Sequence, residues 1–228
     1  MPGFEDAWRV ATPVGGWLTR DQGRSLWDAA LQVPSGRSIL EIGSHQGRST
    51  IVLASAAQRG GSTVIAVDPF VSGPMFGGAA TRTLFENNLG DAGLSDVVRL
   101  IPQPSTAIRP AWDEPLAMLY IDGKHDYWTV RDDLRWVEHL PAGAAVLVHD
   151  AFSSIGVTLG LLVHVLPGGT LRYLGRAGSL ARFEVAAPTA GDRVRMVRQV
   201  PWFVRNVIIK IALRAARLVG YRGTPDPY

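Results

Sequence analysis

The 228-residue chain contains no cysteine. That excludes disulfides, thiolate-held zinc and thiol nucleophiles, so any bound metal must take oxygen or imidazole ligands. The missing disulfides fit a reducing compartment, and the cytoplasm is the expected location. No stretch reaches the roughly 18 apolar residues of a membrane span. The start, MPGFEDAWRV, lacks the basic-then-apolar order of a secretory signal. No dense basic run stands beside aromatic residues, so a formal charge of +3 and a pI near 9.6 do not suggest a nucleic-acid partner. The basic excess lies partly in the tail from Arg193 onward.

What is present is an alternation of strand-like and helix-like segments. SILEIG, TVIAVDPF, DVVRLI, PLAMLYID and AAVLVHD are short apolar runs with helical patterns between them, and TLRYLG and SLARFEVA follow as two further strands. A helix is expected over Thr19–Leu31, opened by a Thr19/Gln22 capping box, with Leu26, Trp27 and Ala30 inward. Others are expected over STIVLASAAQRGG, which ends at glycines, near Arg82 to Ala92, from about Asp126 to Leu140, and over Ser154 to Leu166. The pattern predicts an α/β, Rossmann-like, mostly parallel seven-stranded sheet flanked by helices. It divides into an N-terminal helical cap (1–36), a central domain (37–192) and a basic amphipathic extension (193–228).

Glu41, Asp68, Asp122 and Asp150 all fall at or just after predicted strand ends. In an open parallel sheet those ends share the edge where ligands bind. Four carboxylates at one edge repel unless a ligand or a cation relieves them. EIGSHQGRST sets Gly43 and Gly47 between a strand and a helix, without the spacing of a dinucleotide fingerprint or a phosphate loop. A nicotinamide-dependent enzyme is therefore disfavoured. Asp68 ends the next strand, where a carboxylate can accept from ribose hydroxyls.

EIGSHQGRST and AVDPF resemble motifs of class I S-adenosylmethionine-dependent methyltransferases. The resemblance implies S-adenosyl-L-methionine as cofactor, with contacts from Glu41, Gly43, Ser44, Gly47, Ser49, Asp68 and Asp122, and with Ser105 of PQPSTAI on the adenine side. The usual turn is E/D-x-G-x-G-x-G; here Ser44 and His45 stand in the middle and the second glycine is absent. His45 has two readings, a cleft residue and a surface turn residue.

YIDGKHDY and LPAGAAVLVHDAF resemble a narrower group, the metal-dependent O-methyltransferases related to macrocin, novobiocin-sugar and cephalosporin tailoring enzymes. That resemblance covers about half the chain. It implies a magnesium site at Asp122, His149 and Asp150, with Mn²⁺ or another divalent ion as the alternative. It also implies a histidine base, His149 ahead of His125, and a hydroxyl acceptor on a saccharide or glycosylated metabolite. A methylated bacterial polysaccharide is one candidate acceptor within the wider family. Catechols and other small phenols are the alternative acceptors, and a metal-binding interaction module is the non-enzymatic alternative. His139 is expected at the surface, His164 packed in an apolar helix, and Lys124 solvated.

PFVSGPMFGGAATR is expected to act as a flap over the cleft. The tail PWFVRNVIIKIALRAARLVGY is amphipathic, with Lys210, Arg214 and Arg217 on a basic face and Val207, Ile208, Ile211, Ala215 and Leu218 on an apolar one. It can pack on its own domain, join a second subunit in a homo-oligomer, or lie on an anionic membrane.

Overall fold

The computed structural model describes residues 3–73 and 78–218. Pro74, Met75, Phe76 and Gly77 of the expected flap lie outside the described residues, as do positions 219–228 of the tail. Seven strands form one sheet: β1 (Ser38–Ile42), β2 (Thr63–Val67), β3 (Val98–Ile101), β4 (Leu116–Ile121), β5 (Ala145–Val148), β6 (Leu171–Ala177) and β7 (Leu180–Val185). Their order is β3-β2-β1-β4-β5-β7-β6. The first five are parallel, and β7 enters antiparallel between β5 and β6. The chain reverses direction across the sheet between β1 and β4, the topological switch point at which open α/β sheets bind ligands.

Both faces of the sheet are covered, which is why β1 and β4 read as near-continuous apolar runs. One face packs against α1 (Phe4–Ala11), α2 (Arg20–Ala30), α3 (Arg48–Gly60) and α4 (Gly78–Asp91). The other packs against α5 (Ser105–Ile108), α6 (Tyr127–Leu134), α7 (Ile155–Gly160) and residues of α8 (Ala190–Val197) and α9 (Val200–Leu218). The capping box of α2 forms as the sequence predicts, with Thr19 and Gln22 satisfying each other's backbone N–H groups.

Two helices differ from their predicted extents, and a third keeps its extent but changes its winding. The segment from Asp126 stays α-helical only to Leu134 and tightens into a 3₁₀ turn over Arg135–His139. Pro141 requires an extended residue before it, and Leu140 adopts φ −103°, ψ 142°. The tightening also turns Trp136 fully into the core. α4 begins at Gly78 rather than near Arg82, and α7 continues beyond Gly160 as a π-helical turn to Val165. Two histidines are corrected. His139 is half-buried against Trp136, whereas His164 is exposed and meets the Tyr127 hydroxyl at 2.9 Å.

Arg48 at the start of α3 holds the N-terminal segment in place. Its guanidinium donates to the carbonyls of Thr12 (2.9 Å), Val14 (2.7 Å), Gly16 (2.6 Å) and Leu18 (3.3 Å). A planar fork with five donors suits several carbonyls at once, and lysine does not reproduce it. Arg48→Met should therefore destabilise the fold by roughly 1.5–3 kcal/mol, the range for hydrogen bonds to a charged group. Arg48→Lys should recover only part of that loss, as read from urea unfolding midpoints.

Candidate functional site

The site is assembled by backbone contacts at the C-terminal ends of β1, β4 and β5. Asp122 N–H donates to the Ile42 carbonyl at 2.8 Å, and His149 N–H donates to the Ile121 carbonyl at 2.9 Å. Gly43 lies so close to β4 that a Cβ there would stand 2.2 Å from the Asp122 carbonyl oxygen. Its φ of 88° is also in the left-handed region. The four non-glycine residues with positive φ among the described residues are His45, Phe70, Asp150 and Phe152. They follow β1, β2 and β5, so the strained backbone gathers around this edge, as it commonly does at functional sites.

Asp68 staples the turn after β1. Its Oδ2 accepts the Ser44 and His45 N–H groups, both at 2.9 Å, and its Oδ1 accepts Phe70 N–H at 2.8 Å. An ionised carboxylate offers about four lone-pair sites. Three are used, so Asp68 can accept one further hydrogen bond without releasing the turn. His45 packs its ring 5.4 Å from that of exposed Trp17, and its Nδ1 is buried without a hydrogen-bond partner.

Glu41 and Ser49 are corrected more fully. Glu41 is completely buried and accepts from Ser44 Oγ (3.1 Å), Ser49 Oγ (2.6 Å) and Thr50 Oγ1 (2.6 Å). Both side chains point under the turn and support it from behind. Burial raises the Glu41 carboxyl to about 7 against the opposing pull of the three hydroxyls. Ser44 likewise spends its side chain on Glu41, leaving a backbone role at the turn. Gly47, with φ 94°, opens α3.

Ser105 is buried, and its hydroxyl donates to Asp133 Oδ1. The sequence reading missed Asp133, which sits on α6 with no exposed surface and with Oδ2 unpartnered. Burial raises its carboxyl to about 7, opposed by the Ser105 hydrogen bond. The available signal was weak: an Asp-Asp pair at 132–133 reads as a solvated helix face.

The acidic residues after β4 and β5 meet two imidazoles. His149 is almost fully buried, with Nδ1 3.1 Å from Asp122 Oδ1 and 3.8 Å from Asp150 Oδ1. Nδ1 nevertheless lacks an aligned hydrogen bond, while Nε2 faces Gln22 Oε1 at 3.4 Å. His125 lies at the more open rim, its Nδ1 3.0 Å from Asp150 Oδ2 and its Nε2 3.4 Å from Asp122 Oδ1. The Tyr120 hydroxyl donates to Asp122 Oδ2 at 2.9 Å. Potential ligand atoms of Asp122, His125 and His149 lie within 4.8 Å of one another, so His125 joins this cluster whereas Asp150 faces His125.

Burial alone would lower His125, but its hydrogen bonds and charge contacts with Asp122 and Asp150 push it up to about 10. Burial would lower His149 too, but the charge of Asp122, its close contact with Nδ1 and the charge of Asp150 together raise it. Burial would raise Asp122 and Asp150; the two imidazoles hold both below the usual carboxylate range.

Residues 40–151 match a family model described as a methyltransferase domain. Solved structures similar to this chain include cofactor-bound Rv0187 from MTB, with a TM-score of 0.58, 19% identity, and coverage of 81% of this chain and 89% of that one. The O-methyltransferase TomG from Streptomyces achromogenes, in complex with SAM, gives 0.58, 17%, 81% and 89%. The SAH-bound methyltransferase PaMTH1 of Podospora anserina gives 0.60, 13%, 81% and 88%. The sheet is that of the class I methyltransferase fold.

Glu41 and Asp133 bind more protons folded than unfolded between about pH 4 and pH 7, so their contribution to stability falls as pH rises through that window. His125 adds stability in the metal-free protein that is complete below its unfolded value of 6.5 and lost as pH rises through about 10. Unfolding free energy should therefore decline from about pH 5 towards pH 10, while below about pH 5 the depressed Asp122 and Asp150 carboxyls give it the opposite slope. Asp133→Asn should remove up to about 1.36 kcal/mol per pH unit of that decline below pH 7. An unchanged slope in denaturant titrations would contradict the assignment.

Proposed function

We propose that the chain is an S-adenosylmethionine-dependent O-methyltransferase acting on a hydroxyl of a saccharide or glycosylated metabolite, with a divalent cation held by Asp122 and His149 and with His125 beside it as the base. The observation that carries this reading is the meeting of a left-handed glycine turn with a buried imidazole–carboxylate cluster, both inside the stretch that matches a methyltransferase domain. The closeness of Gly43 to β4 and the unpartnered His45 Nδ1 suit a polar ligand lying against the turn.

The cluster fits a cation on its own terms. A buried imidazole nitrogen without an aligned partner faces a carboxylate, and the second imidazole, His125, stands beside the pair within reach of its ligands. An imidazole in the donor set favours Mn²⁺, Co²⁺ or Zn²⁺ over Mg²⁺, which prefers oxygen ligands. When bound, such an ion lowers the pKa of an acceptor hydroxyl, and S-adenosylmethionine supplies the activated methyl group.

The residues then divide the work. His149 is buried with both nitrogens directed at protein groups, so it serves as ligand and the base role moves to His125. With Asp122 turned to a cation, His125 keeps Asp150 as its orienting partner and presents the other nitrogen to the hydroxyl proton. The hydroxyl oxygen forms a C–O bond as the C–S bond breaks, the electron pair stays on sulfur, and the proton passes to His125. The exposed face of Trp17, tilted against the His45 ring, offers a flat apolar surface beside the turn. That surface also suits an aromatic acceptor, so a small-molecule phenol is the second reading.

Titration calorimetry with S-adenosylhomocysteine should show one saturable site, and Asp68→Asn should weaken it by roughly 1.5–3 kcal/mol if Asp68 donates its remaining lone pair to the ligand. No binding to the folded wild type would sink the proposal. After exhaustive chelation, Mn²⁺ should restore methyl transfer better than Mg²⁺, and Asp122→Asn should abolish the restoration while keeping cofactor binding. Activity indifferent to chelation would remove the cation from the mechanism. A radiolabelled methyl-transfer screen across sugars, glycosides and catechols decides between the two acceptor classes.

A further inference from the structure

The 19 residues of α9 contain four basic side chains and no acidic one. Its inner side mixes polar and apolar groups, and an apolar stripe is left outside. Asn206 is fully buried and donates to the Phe152 carbonyl at 3.2 Å, and Lys210 donates to the Ser153 carbonyl at 3.0 Å. The inner side of the helix carries these two polar groups beside the half-buried Ile209 and Leu213, after a first turn in which Trp202 and Phe203 rest on the core. Val204, Ile208 and Ile211 face outward and are 48%, 60% and 64% exposed. At about 100° per residue, the two isoleucines fall within about 40° of Val204, while Arg205 and Arg214 flank this stripe on opposite sides. Both arginines are exposed.

The charge distribution indicates what covers the stripe. Residues 193–228 hold eight basic residues and one acidic residue, a net +7 in a chain of +3, so residues 1–192 carry a net −4. An anionic surface attracts this end and repels the rest, which fixes an orientation. Pairing α9 with its own copy would set basic face against basic face without a compensating acid. A nucleic acid would favour basic groups at the centre of the contact, where this helix places isoleucine and valine. An apolar stripe between two cationic borders is the pattern of a helix lying in the headgroup region of a bilayer. Among the described residues no helix is long and apolar enough to cross one.

We propose that the outer face of α9 is a docking surface for an anionic lipid bilayer, with Val204, Ile208 and Ile211 entering the interface and Arg205 and Arg214 contacting headgroups. The loop at Phe152 and Ser153 follows Asp150, so α9 would hold the open edge of the sheet near the lipid surface. Docking itself requires no methyl transfer.

The test is sedimentation of the full chain with phosphatidylcholine vesicles, alone or with one third phosphatidylglycerol. Wild type should pellet with the anionic vesicles, bind the neutral ones at least tenfold more weakly, and be released by salt. Ile208→Asp with Ile211→Asp should reduce binding by about tenfold or more. Arg205→Glu with Arg214→Glu should do the same, since each basic residue near the surface is worth roughly fivefold. These positions are exposed, and an unchanged thermal melt would show that the fold is intact. Failure of wild type to bind anionic vesicles would overturn the proposal, as would binding indifferent to the isoleucine substitutions. A dimer in sedimentation velocity that the same substitutions dissolve, without vesicle binding, would assign the face to a second copy. Salt-sensitive duplex binding in place of vesicle binding would assign it to nucleic acid.

Discussion

There is no room for a side chain at position 43, and the rest of the site depends on that. A Cβ would lie 2.2 Å from the Asp122 carbonyl oxygen, so β1 can end against β4 only with glycine there. The close approach aligns the turn after β1 with the loop after β4. It also commits the turn to left-handed backbone at Gly43, His45 and Gly47, which must be held by something else. Asp68 holds it from the front by accepting two of its amides. Glu41 holds it from behind through three hydroxyls. A second close approach works the same way across the cleft, where a Cβ at Gly156 would lie 2.3 Å from the His125 carbonyl oxygen. The start of α7 is thereby pressed onto the loop that carries His125.

The edge would otherwise be overloaded with negative charge. The structure distributes four strand-end carboxylates among three different solutions. Glu41 is buried and tends towards its neutral form. Asp68 is satisfied by backbone amides. Asp122 and Asp150 remain charged, with the two imidazoles between them. Without a cation, His125 is protonated at neutral pH because both carboxylates favour its charged form. In the proposed reading a cation at Asp122 would remove one of those influences, so that metal occupancy and the availability of a base would be coupled through one shared carboxylate.

The sheet was legible because each of its strands is a short apolar run closed by turn chemistry, and the order of strands and helices fixes the parallel arrangement. The acidic strand ends were legible for the same reason: a charge after an apolar run is conspicuous. Side-chain direction within the turn was less accessible. Nothing in EIGSHQGRST says that Glu41 and Ser49 face each other beneath the backbone, because that depends on how α3 settles over β1. Asp133 was hidden by its neighbour Asp132, which does lie on the solvent side and pairs with Arg131. His164 was misread because the π-helical turn after Gly160 rotates it out of the position that a continuous α-helix predicts.

The tail shows where periodicity stops being sufficient. An amphipathic pattern identifies two faces but not which one the protein keeps, and burying the apolar face is the usual outcome. Here two polar residues are turned inward among Trp202, Phe203, Ile209 and Leu213, because the loop after β5 presents backbone carbonyls at Phe152 and Ser153 that need donors. Asn206 and Lys210 meet that need four residues apart on one side of α9, and the same spacing forces Val204, Ile208 and Ile211 outward. The hydrogen-bond requirement of the loop beside Asp150 therefore sets the orientation of the helix, and with it the face that the protein leaves open to its surroundings.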